Sequence, residues 1–165
     1  MEGRKLNIVL RDRAREFGLC DEWYKGWDKD STRQELIEKY LRGIDFCIEH
    51  DYPRVEFIKA QFPRQLLERN GIFADCEVDG DNIGTCVLLG SAHGVLRYHG
   101  FCSCSVYVVH KGCVDIQATD GARVFVEVYG ESVVMVSADD TSRVFVYQHG
   151  GNVKVDGNVT IRDKR

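Results

Sequence analysis

Apolar residues recur at intervals of three and four through the first seventy positions and at intervals of two from about Ile83 onward, so the chain passes from a helical to an extended period. Leu6, Val9, Leu10, Ala14 and Phe17 line one face of a first helix, with Gly18 placed to stop it. Asp30-Ser31-Thr32 opens a second helix, with Thr32 and Glu35 in capping-box spacing. Its apolar set, Leu36, Ile37, Tyr40, Leu41, Ile44, Phe46, Cys47 and Ile48, runs to His50. Asp51-Tyr52-Pro53 then breaks the pattern, because a residue before proline is pushed away from helical geometry. Two shorter helical pieces follow. One carries Val55, Phe57, Ile58 and Phe62, and the other starts near Pro63, carries Leu66 and Leu67, and ends at Asn70-Gly71. Aromatic residues at this helical spacing read as core.

The second half repeats. Val106-Tyr107-Val108, Val124-Phe125-Val126 and Val144-Phe145-Val146 each read valine, ring, valine, and each is followed four residues later by a glycine, at Gly112, Gly130 and Gly150. On these residues the copies start 18 and then 20 positions apart. A second short strand follows each copy, at Val114-Asp115-Ile116, Val134-Met135-Val136 and Val153-Lys154-Val155. Turn-forming residues separate them at Thr119-Asp120-Gly121, Asp139-Asp140-Thr141 and Asp156-Gly157-Asn158. Val87-Leu88-Leu89-Gly90 and Val95-Leu96-Arg97-Tyr98 form a weaker early copy.

A unit of about twenty residues, strand-turn-strand-turn, fits a coiled β-solenoid whose equivalent strands stack in parallel at about 4.8 Å. The expected fold class is therefore α+β: an N-terminal helical capping subdomain of three or four helices over residues 1–75, then a short right-handed β-solenoid (β-helix) of about four coils over residues 76–165. An antiparallel β-sandwich is the alternative, since it also shows short alternating strands.

Alternation places Val106 and Val108 on one face of a strand and Tyr107 on the other. Carried across the copies, this predicts an outward ladder of Tyr107, Phe125 and Phe145, flanked by Tyr129 and Tyr147. Such a band is either covered by the helical half or docks a partner, a second copy or, by stacking on sugar rings, a glycan. The ends of a short solenoid also leave backbone groups unpaired. The charges of Arg162-Asp163-Lys164-Arg165 are placed to blunt one end, or that end is where copies meet.

Composition narrows the partners. The chain has 44% hydrophobic residues, only two prolines and a net charge of −4, which is the profile of a folded domain rather than a linker. Fourteen basic and 15 acidic residues lie in the first 75 positions, and 8 and 11 in the remainder, so neither half carries the basic excess of a nucleic-acid footprint. Arg4, Lys5, Arg11, Arg13 and Arg15 read as the solvated face of a helix. No run of about 18 apolar residues and no signal-peptide pattern occurs, so neither a membrane span nor standard secretion is expected. Seven cysteines without a disulfide framework suit a reducing, cytoplasmic setting.

Candidate chemistry is sparse. Cys102, Cys104, His110 and Cys113 are close in sequence and are the weak candidates for a metal site or an enzymatic centre, but zinc prefers ligand pairs spaced by two to four residues, twice over. Cys113, His110 and Asp115 supply the residue types of nucleophilic catalysis without a recognisable motif. Asp139-Asp140 and Asp79 with Asp81 are acidic pairs in expected turns. The expectation is thus a non-enzymatic protein with no cofactor and no catalytic residues, engaging a protein partner or itself, with no nucleic acid or membrane among its partners.

Asp51-Tyr52-Pro53, Glu56-Phe57-Ile58-Lys59, Gly71-Ile72 and the valine-ring-valine copies, taken together, make most of the chain resemble a group of short uncharacterised proteins of gut bacteria and their phages or mobile elements. They share a helical first half and a valine-rich repetitive second half. The resemblance implies a phage or mobile-element context, with a virion as the alternative location to the cytoplasm, and it implies no activity. The second half is also similar in style to polymer-forming bacterial β-helical proteins, which have more coils and lack so large a helical half.

Overall fold

The computed structural model describes residues 2–165, which form six helices followed by eleven strands. The chain divides into two compact units, one extending to Leu66 and the other running from Leu67 to Arg165. The second unit therefore begins within the last helix, ahead of Ile83, where the alternating period becomes legible.

In the first unit, α1 (Gly3–Glu16) buries Leu6, Leu10 and Ala14, as their spacing predicts. Asn7 is fully buried on the same face. Its amide donates to the carbonyls of Ser31 (2.7 Å) and Gly3 (3.0 Å) and its oxygen accepts from the Trp27 indole (3.0 Å), so a polar side chain in the core is satisfied on every side. A short helix, α2 (Asp21–Lys25), forms in the aromatic stretch where none was expected. Its Tyr24 ring lies under the guanidinium groups of Arg11 and Arg15, at 4.6 and 5.3 Å. Arg4, Arg11 and Arg15 also pair with Asp30, Asp12 and Asp21, which neutralises much of the basic stripe.

The capping box of α3 (Arg33–Arg42) is present: Thr32 N–H donates to the Glu35 carboxylate at 2.7 Å, and Glu35 N–H donates to the Thr32 hydroxyl at 3.2 Å. The single helix expected through Ile48 is instead two. Gly43, at φ −104° and ψ 27°, parts α3 from α4 (Ile44–Glu49), because a residue without a side chain gives up helical geometry at little cost. Then come α5 (Val55–Gln61) and α6 (Arg64–Arg69), as expected, which brings the count to six rather than three or four.

The second unit is a parallel β-solenoid. Strands β1 (Ile72–Ala74), β3 (Thr85–Leu89), β5 (Ser103–Val108), β7 (Arg123–Val128), β9 (Arg143–Gln148) and β11 (Val159–Asp163) form one sheet in that order. The other sheet contains β2 (Glu77–Asp81), β4 (His93–His99), β6 (Cys113–Thr119), β8 (Val133–Ala138) and β10 (Asn152–Gly157). Every pairing described is parallel, which excludes the antiparallel sandwich. Each coil holds two strands, one per sheet. The three clear copies and the weak early one account for about four coils, β3 to β10, with β1–β2 before them and β11 after.

The register differs from the one read off the sequence. Ser103 pairs with Arg123 and Arg123 with Arg143, so the inner coils keep a strict step of twenty residues. Val106 consequently stacks on Val126, two positions further along than the valine-ring-valine alignment puts it. Cys86, Val106, Val126 and Val146 make one inward column, and Leu96, Ile116, Val136 and Val155 another in the opposite sheet. Between them they fill the core. Tyr98 enters it as the largest fully buried side chain, above Ala118 and Ala138 in its own column, so one bulky residue is matched by two small ones.

Corners follow the same step. Gly90, His110 and Gly130 turn the chain with positive φ at intervals of twenty, and a Cβ on Gly130 would approach the His110 carbonyl oxygen to 2.6 Å. Ala92, Gly112 and Ser132, all buried, follow two residues later. Gly112 thus belongs to a different column from Gly130, because the repeat is set by corner geometry and not by the letter glycine. Asp79 and Asp81 lie on β2 rather than in a turn, with Asp79 paired to Arg97 on the neighbouring strand. The early copy reads weakly because β3 buries every residue from Cys86 to Leu89, and a strand buried on both faces loses its alternation.

Candidate interaction surface

The outward positions of the first sheet carry the rings anticipated from the sequence, in two columns instead of one ladder. Phe125 and Phe145 are in register and stack with centroids 5.4 Å apart at 15°. The residue of β5 in their column is Ser105. Tyr107 lies in the adjacent column, against Glu127 and then Tyr147, whose ring faces the Arg162 guanidinium at 5.5 Å. The two columns have one cause: a step of twenty residues per coil moves Tyr107 two residues relative to Phe125.

Tyr129 lies just past the end of β7 and stacks on His149, twenty residues later, at 4.4 Å and 6°. Glu127 joins them, with its carboxylate 2.7 Å from His149 Nε2 and accepting from the Tyr129 hydroxyl at 3.4 Å. This group combines a ring stack, a carboxylate and an imidazole, and it joins Glu127 to His149, 22 residues further along the chain. The signal was available in the spacing of Tyr129 and His149, which equals the coil length.

Apolar side chains remain exposed on the later coils. Val133 and Met135 point outward from β8 with 42% and 50% of their surface accessible, and Val155 and Ile161 in the last strands are 42% and 40% accessible. Val133 and Met135 were not singled out from the sequence, where Val134-Met135-Val136 reads only as a second strand of the repeat. Phe101, at the corner between β4 and β5, is fully exposed.

At the corner after β8, the Asp139 carboxylate ties two coils together. It accepts from Asp120 N–H in the preceding coil (2.9 Å), from Thr141 N–H and hydroxyl (3.0 and 2.8 Å) and from Ser142 N–H (2.8 Å). These donors, the Asp120 amide foremost, hold its ionisation well below the usual carboxylate range. A carboxylate depressed in the folded chain adds stability that is complete above the unfolded value near 4 and is lost as pH falls through and below it. Asp139→Asn is therefore expected to lower the thermal midpoint at neutral pH, with the gap to wild type closing as the pH is brought below about 4. A gap that stays constant through a calorimetric pH series would contradict this role. Asp139 is thus a corner residue, and with Asp140 it shares the turn predicted for it.

The cysteine and histidine candidates are dispersed. Cys104 points inward from β5 and is buried, and its thiol is pushed up to about 12 by that burial and by its hydrogen bond with Cys102. Cys113 stands exposed at the start of β6, in the opposite sheet. His110 occupies a corner, where its Nδ1 accepts from Gly90 N–H at 3.0 Å. Among the described residues no group of three or more His, Cys, Asp or Glu side chains is arranged to hold a metal ion. All seven cysteines are free thiols.

Fold and surface together define the class: a helical unit joined to a short, two-strand-per-coil parallel β-solenoid with partly apolar outer faces. Searches against protein-family models, curated proteins and solved structures returned no match to this chain. No helix among the described residues is long and apolar enough to cross a membrane.

Proposed function

We propose that the chain is a non-enzymatic structural or interaction protein, using the surface of its solenoid for assembly or for binding a protein partner. The observation that carries this reading is the apolar surface left open on the last coils, Val133 and Met135 on a sheet face and Val155 and Ile161 at the end of the stack. Apolar groups clustered on a folded domain mark surfaces that are covered in a complex. The stacked Phe125 and Phe145 extend the same character on the other sheet. A phage or mobile-element setting, in the cytoplasm or the virion, accords with the resemblance noted from the sequence.

Light scattering on the purified chain across micromolar to submillimolar concentration tests the reading. A mass that rises with concentration, and that Met135→Glu or Val155→Asp reduces, is the expected result. A mass equal to one chain throughout, unchanged by either substitution, counts against it.

The second reading is a glycan-binding surface, favoured by the Tyr129–His149 stack with Glu127 alongside, since a flat ring and a carboxylate are what a sugar ring and its hydroxyls engage. It predicts that Tyr129→Ala abolishes retention on a glycan array while the thermal midpoint stays within a few degrees. A chain that binds no glycan on such an array rejects this reading.

A further inference from the structure

The last coil of the solenoid ends each sheet in an edge strand, β10 in one and β11 in the other. Among the described residues no strand lies on the outer edge of β10 or β11. Asn152 N–H donates to Ser132 and Asn158 N–H to Ala138, both in the coil beneath, so even-numbered residues of β10 direct their amides into the stack. Backbone groups alternate in direction along a strand, and the amides and carbonyls of Val153, Val155 and Gly157 therefore face the free edge. The same holds on β11, where the Asn158 carbonyl and the Lys164 N–H are bonded to Val144 and Gln148 of β9, leaving Val159 and Ile161 facing out. Val153, Val155, Val159 and Ile161 also occupy the inward columns, above Val134, Val136, Val144 and Val146. Each carries an open backbone edge together with an apolar side chain that no further coil among the described residues covers.

We infer that this end binds a second copy of the chain, its β10 running antiparallel to the first copy's β10 about a two-fold axis through Val155. The inference rests on the assembly reading above and names its surface. An antiparallel partner meets the free edge at the odd-numbered residues, which restricts the register to a few choices. Centring on Val155 pairs Val155 with itself and Val153 with Gly157, so all three open residues of β10 are bonded. It also sets Lys154 opposite Asp156 of the other copy, twice, in the closely spaced non-bonded positions where side chains meet. The neighbouring choice, centred on Lys154, opposes two lysines. Charge therefore selects one register, and the reciprocal pairs are met only by an identical strand in a two-fold arrangement. The same axis lays β11 beside its own mate, which covers Val159 and Ile161.

Lys154 and Asp156 are both exposed, so replacing them leaves the fold intact. In sedimentation equilibrium on the full chain, wild type is expected to dimerise, and Lys154→Glu to weaken the dimer by roughly tenfold or more, because two attractive pairs become repulsive. The double exchange Lys154→Glu with Asp156→Lys is expected to restore it. Circular dichroism confirms that each variant is folded. Self-association unaffected by the single and double exchanges, yet abolished by Met135→Glu, overturns the end-to-end dimer and leaves the assembly reading in place. A monomer at every concentration removes both, and shows Lys154 to be an edge-protecting charge.

Discussion

Gly94→Ala is expected to cost about 3 kcal/mol of stability and to lower the thermal midpoint by roughly 10 °C. Gly94 lies on β4 at φ 144°, a conformation that side chains other than glycine's rarely adopt, and a Cβ there would overlap the carbonyl oxygen of Val78 on β2. The oxygen belongs to the backbone of the adjacent strand, so relief requires β2 and β4 to separate. Gly100 provides the control. It also has positive φ, at 73°, but its Cβ would meet nothing within 4 Å, and Gly100→Ala is expected to cost only about 1 kcal/mol. Denaturant titration separates the two, and equal losses would show that the close approach of β2 and β4 contributes nothing.

The second large effect concerns the columns of the core. Ile116 is completely buried at the centre of the stack, in register with Leu96 on one side and Val136 on the other. Ile116→Ala removes contacts to both coils and leaves a cavity that flanking strands, held by their own hydrogen bonds, cannot close, so a loss of about 3 kcal/mol is expected. Val155 sits in the same column one coil beyond Val136, but is 42% exposed. Val155→Ala is expected to cost under about 0.5 kcal/mol in the isolated chain, since little is uncovered that was not already wet. In a solenoid each coil contacts only its neighbours, and this gradient from centre to end is a direct consequence. Similar losses at the two positions would mean that the last coil is as well packed as the middle one.

The periods carried most of the architecture. Leu6, Leu10 and Ala14 specify their helix face, Thr32 and Glu35 specify a helix start, and alternation in Val106-Tyr107-Val108 specifies which side chains enter the core. Short elements escaped: α2 has five residues and no apolar stripe, β1 has only three residues, and β2 (EVDGD) puts a glycine, Gly80, at one of its two inward positions, so it shows only one apolar residue. Of the surface, the rings Tyr107, Phe125, Tyr129, Phe145 and Tyr147 were legible as outward positions. Their partners were not, because Glu127 meets His149 only through the packing of one coil on the next.

The sequence by itself determined a helical first part, a stacked parallel second part, and valines turned inward with rings turned out. Only the tertiary structure decided the register. Val106 can be placed under Val124 or under Val126 with its side chain inward either way, because a shift of two residues preserves the face of a strand. Local pattern cannot distinguish the two, and the length of chain needed to round both corners at His110 and Asp120 settles it at twenty residues.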